Sequence, residues 1–205
     1  MAPRKYRMDK RKQAVDDTRR RIVDATVALH VEQGILATSW EDIAQKADVA
    51  LATVYRHFPS LDGLVSACGE QVIAIVKPPT PETVREKLAA ISSQADRIKL
   101  LVNELFEFYN RGRIFLDVAL REAHQVPALA AWVAGWEASR EEIVKEALRP
   151  DGTDHSTVQM IIALTDYRVW CSLIDQNLPN EDAVEMLSAL LNQISAELPT
   201  VTPAD

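Results

Sequence analysis

Three neighbouring residues, Tyr55, Arg56 and His57, have side chains whose polar groups suit contact with nucleic acid. A phenol hydroxyl and a guanidinium donate hydrogen bonds to phosphate oxygens, and an imidazole ring is a further possible donor. Two small residues, Ala52 and Thr53, precede them, and small side chains let the start of a helix enter the major groove of DNA without clashing with base edges. The stretch 52–57 therefore predicts a helix that contacts DNA.

The alternative is an ordinary surface helix with an aromatic and basic face. The distribution of charge favours the DNA interpretation. Residues 1–60 hold 11 Lys and Arg against 8 Asp and Glu, a charge of +3, whereas residues 61–205 hold 12 against 22, a charge of −10, which together give the net charge of −7. Within residues 1–21 the count is 9 against 3. A basic head on an acidic body indicates two tasks in one chain.

The elements around this stretch have the pattern of a helix-turn-helix. A first short helix follows Thr38 or Ser39, either of which can cap it, and a second ends before Pro59, because the residue before a proline is pushed out of helical geometry. Asp48 stands in the turn, where a left-handed backbone is needed, and Asp tolerates that conformation. The small and apolar residues that such a unit needs around its turn are Ala44, Ala47, Val49 and Val54.

The rest of the chain is predicted to be helical, without strands or internal repeats, which gives an all-α protein of nine or ten helices. The longer helices are expected at about 17–33, 61–75, 82–91, 94–110, 113–125, 127–148, 156–176 and 181–198. We expect a basic flexible arm over residues 1–16, a three-helix helix-turn-helix domain over 17–60, and a larger helical effector-binding and dimerisation domain over 61–205.

Most of the large rings lie in this C-terminal part. Core packing is the simple interpretation of any single ring. As a group they are candidates for the lining of an apolar ligand site, because such sites combine apolar walls with a few placed polar groups. The candidate ligand-binding residues are Phe106, Tyr109, Trp132, Trp136, Tyr167 and Trp170, with Arg121 and His124 as polar partners.

The last two predicted helices have more apolar surface than one protomer buries, since 156–176 is apolar on more than one face and 181–198 has a widened apolar stripe. We expect them to form a homodimer through a four-helix bundle. The candidate interface residues are Val158, Ile162, Val169, Leu187, Leu190, Leu191 and Ile194.

Other functional classes find little support in the sequence. The pair Glu122 and His124 has the wrong spacing for a di-metal carboxylate motif, which needs Glu-x-x-His. The chain's two cysteines, Cys68 and Cys171, fit neither a metal spacing nor a disulfide framework, and reduced, largely buried thiols are expected. We expect no catalytic residues, no metal and no cofactor. Because no apolar run is long enough to span a bilayer, a cytoplasmic protein without membrane contact is predicted.

The residues "TRRRIVDATVALHVEQGI" followed by "ATSWEDIAQKADVALATVYRHFPSLDGLV", from Thr18 to Val65, resemble the N-terminal domain of the TetR family of transcriptional regulators. The Tyr-Arg-His-Phe run is the most specific part. Family members are homodimers with a variable C-terminal ligand-binding domain. The positions that the resemblance implies as DNA contacts are Thr38, Ser39, Thr53, Tyr55 and His57, with Tyr55 on phosphate.

Two positions depart from the family pattern. Asp48 replaces the usual Gly of the turn, and Leu61 stands where the family usually has a phosphate-binding Lys. We expect the N-terminal arm to compensate for that lost contact through Arg4, Lys5 and Arg7 in the adjacent minor groove.

The sequence thus predicts a ligand-responsive DNA-binding regulator. It would act as a repressor released from a palindromic operator in double-stranded DNA by a small, at least partly apolar effector of unknown identity. An activator role stays open. The alternatives are an effector-independent DNA-binding or architectural protein, and an all-helical enzyme. The architectural alternative would have a C-terminal core without a cavity.

Overall fold

A computed structural model describes residues 4–148 and 154–197, with only the backbone at 4–9 and 197. Regular structure in this part of the chain is entirely helical, which confirms the all-α prediction. The ten helices described are α1 (Arg4–Gln33), α2 (Trp40–Lys46), α3 (Leu51–His57), α4 (Leu61–Val76), α5 (Pro81–Leu88), α6 (Gln94–Glu122), α7 (Pro127–Ala147), α8 (His155–Leu164), α9 (Tyr167–Ile174) and α10 (Asn180–Glu197). Among them, none is long and apolar enough to cross a membrane.

The chain divides into two compact units. The first unit combines Met1–Ile75 with Ile114–Val133, and the second combines Val76–Arg113 with Ala134–Asp205. The first unit therefore extends past the sequence boundary at residue 60, because the end of α6 and the start of α7 belong to the same compact body as the helix-turn-helix. A boundary drawn along the sequence cannot represent such a discontinuous unit.

The first helix starts much earlier than the sequence pattern indicated. We expected a flexible arm up to residue 16, but the backbone is helical from Arg4. Residues 10–17 are exposed, so no apolar periodicity marks this part of the helix. Lys, Arg, Gln and Ala are nevertheless strong helix formers, and their intrinsic propensity extends α1 towards its N-terminus.

The core of the helix-turn-helix forms as expected. Ile22 and Leu29 of α1, Ala44 of α2, and Val54 with Phe58 at the end of α3 are buried in one apolar cluster. Ser39 caps α2: its hydroxyl accepts a hydrogen bond from the Asp42 amide, and the Asp42 carboxylate accepts one from the Ser39 amide. These contacts fix the position of α3 relative to α1 and α2.

Two of the expected helix boundaries are wrong. Gly112 does not end a helix, because α6 runs through it from Gln94 to Glu122, with Gly112 buried. Conversely, the single helix expected over 156–176 is divided at Thr165 and Asp166. The Thr165 hydroxyl donates to the Ile161 carbonyl over 2.7 Å, and Asp166 caps the new helix by accepting from the Arg168 amide over 2.9 Å. Side-chain hydrogen bonds of Thr and Asp to nearby backbone compete with helix continuation.

Candidate DNA-binding surface and ligand pocket

The outer face of α3 carries the side chains that were singled out for DNA contact. Ala52, Tyr55 and Arg56 are exposed, and Thr53 is half-buried, while Val54 on the opposite face is completely buried. Small residues thus lie in the first turn of α3, and the long polar side chains lie one turn later. This is the order required of a helix that enters the major groove by its N-terminal end.

Tyr55 is held by an aromatic neighbour on the preceding helix. Its ring lies 5.0 Å, centroid to centroid, from the ring of Trp40, the first residue of α2, and 45% of its surface remains exposed. Packing of the ring against Trp40 limits its rotamers, so the hydroxyl is presented in a restricted direction. Trp40 was not among the predicted DNA contacts. The available signal was a large ring at the start of an otherwise polar short helix.

The turn between α2 and α3 is fixed from α1. Asp48 has a φ angle of 52°, the left-handed conformation expected for it. The Arg21 guanidinium donates to the carbonyl oxygens of Ala47, over 2.5 Å, and Asp48, over 2.7 Å. Arg21 therefore satisfies two carbonyl groups that leave the helical pattern at the turn, and it ties the turn to α1.

The other predicted contacts at the start of the helix-turn-helix have local partners. The Thr38 hydroxyl donates to the Gly34 carbonyl over 2.6 Å, and Ser39 is the α2 cap described above. His57, at the end of α3, is half-buried. Burial and the nearby charges of Arg56 and Arg19 lower the pKa of His57, which favours a neutral ring at neutral pH.

The structure does not describe the side chains of three predicted DNA contacts. Arg4, Lys5 and Arg7 belong to α1 by their backbone, but their side chains lie outside the described residues. Leu61, in the position of the missing Lys, is 39% exposed at the start of α4. A minor-groove role for the three basic residues stays a prediction.

The large rings of the second unit form a packed cluster. Phe106, Tyr109 and Trp170 are fully buried, and Tyr109 contacts both Tyr167 and Trp170 with ring centroids 5.4 and 6.0 Å apart. Trp136, which is half-buried, lies 4.5 Å from the ring of Phe108. The polar atoms of Tyr109 and Trp170 have protein partners. The Tyr109 hydroxyl donates to the Thr165 carbonyl over 2.9 Å, and the Trp170 indole donates to Asn180 Oδ1 over 2.8 Å. The structure thus gives these five predicted ligand residues a packing role.

The remaining candidate ligand residues belong to the first unit. Arg121 and His124 are exposed, with Arg121 paired to the Glu122 carboxylate at 3.1 Å and His124 beside the Gln125 amide at 2.9 Å. Trp132 is half-buried and lines a cavity. The eight predicted ligand residues are therefore divided between the two units, five in the second and three in the first.

The cavity that Trp132 lines has a volume of about 300 Å³ and lies within the first unit. Its walls come from α1, α4, the C-terminal part of α6 and the N-terminal part of α7. They are mainly aliphatic, and representative lining residues are Val27, Val65, Val72, Val118, Ala119 and Leu129. This cavity could not be predicted from the sequence, because Val, Ala and Leu at helical spacing are indistinguishable from an ordinary core.

One polar side chain of the cavity wall is deeply buried. His30, in the last turn of α1, is 8% exposed, and burial lowers its pKa to about 4, against a smaller opposing effect of the Glu122 charge. The imidazole is therefore neutral at neutral pH. Among the residues that the structure describes, none forms a hydrogen bond with this ring.

Glu122, one turn beyond the cavity on α6, holds the loop between α1 and α2. Its Oε2 accepts hydrogen bonds from the amides of Ile35, over 2.8 Å, and Leu36, over 3.0 Å. Burial opposes ionisation of Glu122, but these two amides and Arg121 outweigh it, so the pKa of the carboxyl group is lowered. Gly34 has a φ angle of 92°, and a Cβ at that position would lie 2.3 Å from Glu122 Oε1. The backbone angle favours glycine here, and a Cβ would also displace the Glu122 carboxylate from its present position.

The helices expected at the dimer interface lie in the second unit. Leu190 and Met186 on α10 are 45% and 60% exposed, and Met160 on α8 is also exposed. Of the seven predicted interface residues, Leu190 is exposed and four are half-buried: Val158, Ile162, Val169 and Ile194. Leu187 and Leu191 are buried within the protomer, since the α10 stripe also supplies the core of its own unit.

The helix-turn-helix with its exposed α3 face, followed by a larger helical part, defines the class of helix-turn-helix DNA-binding regulators. Residues 22–68 match the family model described as "Bacterial regulatory proteins, tetR family". This N-terminal part of the chain is thus similar to the DNA-binding domain of the TetR family.

Curated relatives extend the likeness beyond this domain. The chain is 36% identical over 121 residues to the "HTH-type transcriptional repressor KstR" of Rhodococcus jostii (strain RHA1), a match covering 57% of each chain. It is 32% identical over 110 residues to the protein of the same name from Mycobacterium tuberculosis (strain ATCC 25618 / H37Rv), covering 53% of this chain and 48% of the relative. The chain thus spans about half the length of the curated relatives it matches.

Solved structures resemble nearly the whole fold. A crystal structure titled "multidrug binding protein EbrR complexed with imidazole" has a TM-score of 0.62 at 22% identity, covering 89% of this chain and 97% of that one. A transcriptional regulator from Aquifex aeolicus VF5 has a TM-score of 0.60 at 17% identity, covering 86% and 99%. At these identities the likeness shows the fold alone.

Proposed function

We propose that the protein is a ligand-responsive, DNA-binding transcriptional regulator that acts as a repressor. The observation that carries this proposal is the exposed face of α3, with Ala52 and Thr53 before Tyr55 and Arg56, presented by a turn that Arg21 fixes to α1. The names of the curated relatives support the repressor role. They are regulators, which agrees with the expectation that the chain is not an enzyme.

The protein acts as a homodimer on a palindromic operator in this proposal. The exposed apolar side chains of Leu190, Met186 and Met160 support an interface formed by α8 and α10, because a protomer that left them in water would be prone to association. A two-fold dimer presents two copies of α3, so the half-sites would lie one helical turn, about 34 Å, or a multiple of it apart. A regulator of this kind acts in the cytoplasm, where bacterial DNA is found.

The experiment is binding of the purified protein to the DNA directly upstream of its own coding region, measured over a salt series. A mixed metabolite extract is added in a parallel series, and unrelated DNA serves as competitor. Salt-sensitive, specific binding that the extract relieves supports the whole proposal. Specific binding that no extract relieves favours the effector-independent alternative. If no specific binding is found there, a selection from random genomic fragments must recover an operator, and failure of that selection would reject the DNA-binding role.

A pair of arginine variants separates groove contact from general electrostatics. Arg56→Ala removes an exposed cation from α3, whereas Arg168→Ala removes an exposed cation from α9 in the other unit. We expect Arg56→Ala to weaken binding about five- to 150-fold and Arg168→Ala to leave it within about twofold, since a contact at the DNA surface contributes about 1–3 kcal/mol. Equal effects of the two substitutions would contradict the assignment of α3.

A further inference from the structure

The cavity of the first unit is built partly from the DNA-binding domain itself. Val27, His30 and Val31 of α1 and Val65 and Val72 of α4 supply two of its walls. The remaining walls come from the end of α6 and the start of α7. A molecule in this cavity therefore touches the helices that support α2 and α3.

The buried part of the cavity has no net charge. The His30 ring is neutral at neutral pH, and burial raises the pKa of the Cys68 thiol to about 12, so it stays protonated. Neither Lys nor Arg is among its lining residues, and the one carboxylate of the lining, Glu70, is exposed. An anion entering the cavity would lose its hydration without a cation to replace it.

The His30 imidazole gives the cavity one polar recognition point. It is a buried group with one donor and one acceptor nitrogen, and no hydrogen-bonding partner for its ring lies among the residues the structure describes. A ligand oxygen placed against the ring can form a hydrogen bond with it in surroundings that are otherwise mainly apolar. The aliphatic walls favour a hydrocarbon body for the rest of the ligand.

We propose that this cavity is an effector site for an uncharged, mainly hydrocarbon molecule with one hydroxyl or carbonyl oxygen that hydrogen-bonds to His30. At the packing density of protein interiors, a volume of about 300 Å³ holds about 12–15 non-hydrogen atoms. The regulatory consequence rests on the proposed function, whereas binding itself does not.

The path from the cavity to the DNA-binding surface runs through α6. Val118 and Ala119 line the cavity, and Glu122 follows them at i+4 and i+3, so all three share one side of the helix. A ligand that displaces this side of α6 also displaces the carboxylate that accepts from the Ile35 and Leu36 amides. The α1–α2 loop leads directly into α2, so its position sets the position of α2 and α3.

The test uses three matched probes and the full-length protein, studied by calorimetry at pH 7.5. They are 4-cyclohexylphenol, cyclohexylbenzene without the hydroxyl, and 4-cyclohexylbenzoate with a carboxylate. We expect the phenol to bind, the hydrocarbon to bind roughly two- to tenfold more weakly because it lacks one hydrogen bond, and the carboxylate to bind more weakly than the hydrocarbon. His30→Phe should bring the phenol and the hydrocarbon to equal affinity.

Two glycine substitutions test the location. Gly69 on α4 lines the cavity, and Gly135 on α7 does not; a Cβ at either position meets no atom within 4 Å. Gly69→Leu fills the cavity and should abolish phenol binding, while Gly135→Leu should leave it unchanged. Circular dichroism and thermal unfolding establish that both variants are folded.

The possible outcomes separate failure of the proposed ligand site from failure of the proposed DNA-binding function. Failure of all three probes to bind, preference for the carboxylate, or undiminished binding by Gly69→Leu overturns the site. If the phenol binds as expected but the protein selects no operator, the site stands and the proposed function fails. If an operator is bound and the phenol binds without weakening that complex, the cavity is a binding site without the regulatory role proposed for it, and that part of the inference is overturned.

Discussion

Replacement of Glu122 by Gln and by Ala should reveal how strongly α6 holds the DNA-binding domain. Both backbone amides, those of Ile35 and Leu36, donate to the same oxygen, Oε2, while Oε1 pairs with Arg121. A glutamine side chain can place its carbonyl oxygen at the Oε2 position and keep both backbone bonds. It loses the negative charge and the partly buried ion pair with Arg121. An alanine loses all of these contacts.

The magnitudes follow from burial. The amide of Ile35 belongs to a buried residue, so removal of its acceptor costs about 1–3 kcal/mol. Leu36 is exposed, and water replaces its acceptor at a cost of about 1 kcal/mol. Glu122→Ala should therefore destabilise the first unit by about 3 kcal/mol. Glu122→Gln should cost less, about 1 kcal/mol, because both backbone hydrogen bonds remain and only their charge assistance and an ion pair to the largely exposed Arg121 are lost.

Urea unfolding gives the global loss, and amide hydrogen exchange at Ile35 and Leu36 gives the local one. A loss of about 3 kcal/mol corresponds to an increase of roughly two orders of magnitude in exchange at Ile35 for the Ala variant. Exchange at amides within α9, in the other unit, is the internal control. Equal destabilisation by Gln and Ala, or a loss below about 1 kcal/mol for Ala, would refute the reasoning.

Three further predictions concern acid stability, DNA contact and assembly. The folded-state pKa of His30 is about 4, against an ordinary value of 6.5, so the unfolded state binds more protons between these two pH values, and the free energy of unfolding falls by up to about 3 kcal/mol as the pH drops from about 6.5 to about 4. The urea midpoints of a His30→Leu variant should lack this part of the pH dependence. An unchanged pH dependence in the variant would contradict the burial of a neutral ring. Tyr55→Phe should weaken binding to all DNA sequences by a similar factor and slightly lower the salt slope, because a phosphate contact does not depend on base sequence; a change confined to operator preference would assign Tyr55 to the bases instead. Leu190→Glu should shift the sedimentation coefficient from dimer to monomer, and a variant that still sediments as a dimer would move the interface away from this part of α10.

The helix-turn-helix was predictable because its determinants are local. Ser39 precedes a helix with Asp42 at the capping position, and Asp48 tolerates a left-handed turn. Pro59 stops the second helix. Each of these rules acts over three or four residues, so a single sequence contains the information needed. The start of α1 was not predicted, because the helix prediction relied on apolar periodicity and this segment has helix-forming residues without such periodicity.

The ligand cavity was not predictable, because a void is a property of packing between distant segments. The ring residues attracted attention by their size, yet size favours close packing, and Tyr109 and Trp170 fill a core. The cavity lies instead among valines and alanines. The hydrogen bonds of Glu122 could not be predicted from the sequence either. The amides that it accepts from are 86 and 87 residues earlier in the chain, and backbone amides carry no sequence signal.

The ligand concentration limits how strongly one occupied cavity can act on DNA binding. Converting a regulator from 99% to 1% in its DNA-binding conformation requires about 5.5 kcal/mol. A ligand present at about a hundred times its Kd contributes about 2.7 kcal/mol per cavity if the DNA-binding conformation excludes it completely, and less if that conformation also binds it. A single occupied cavity is therefore insufficient at this concentration. Two cavities in the proposed homodimer contribute about 5.4 kcal/mol under the same condition, which is close to the requirement. Effective release thus demands both a dimer whose subunits change together and a cavity that closes when α3 is positioned for DNA.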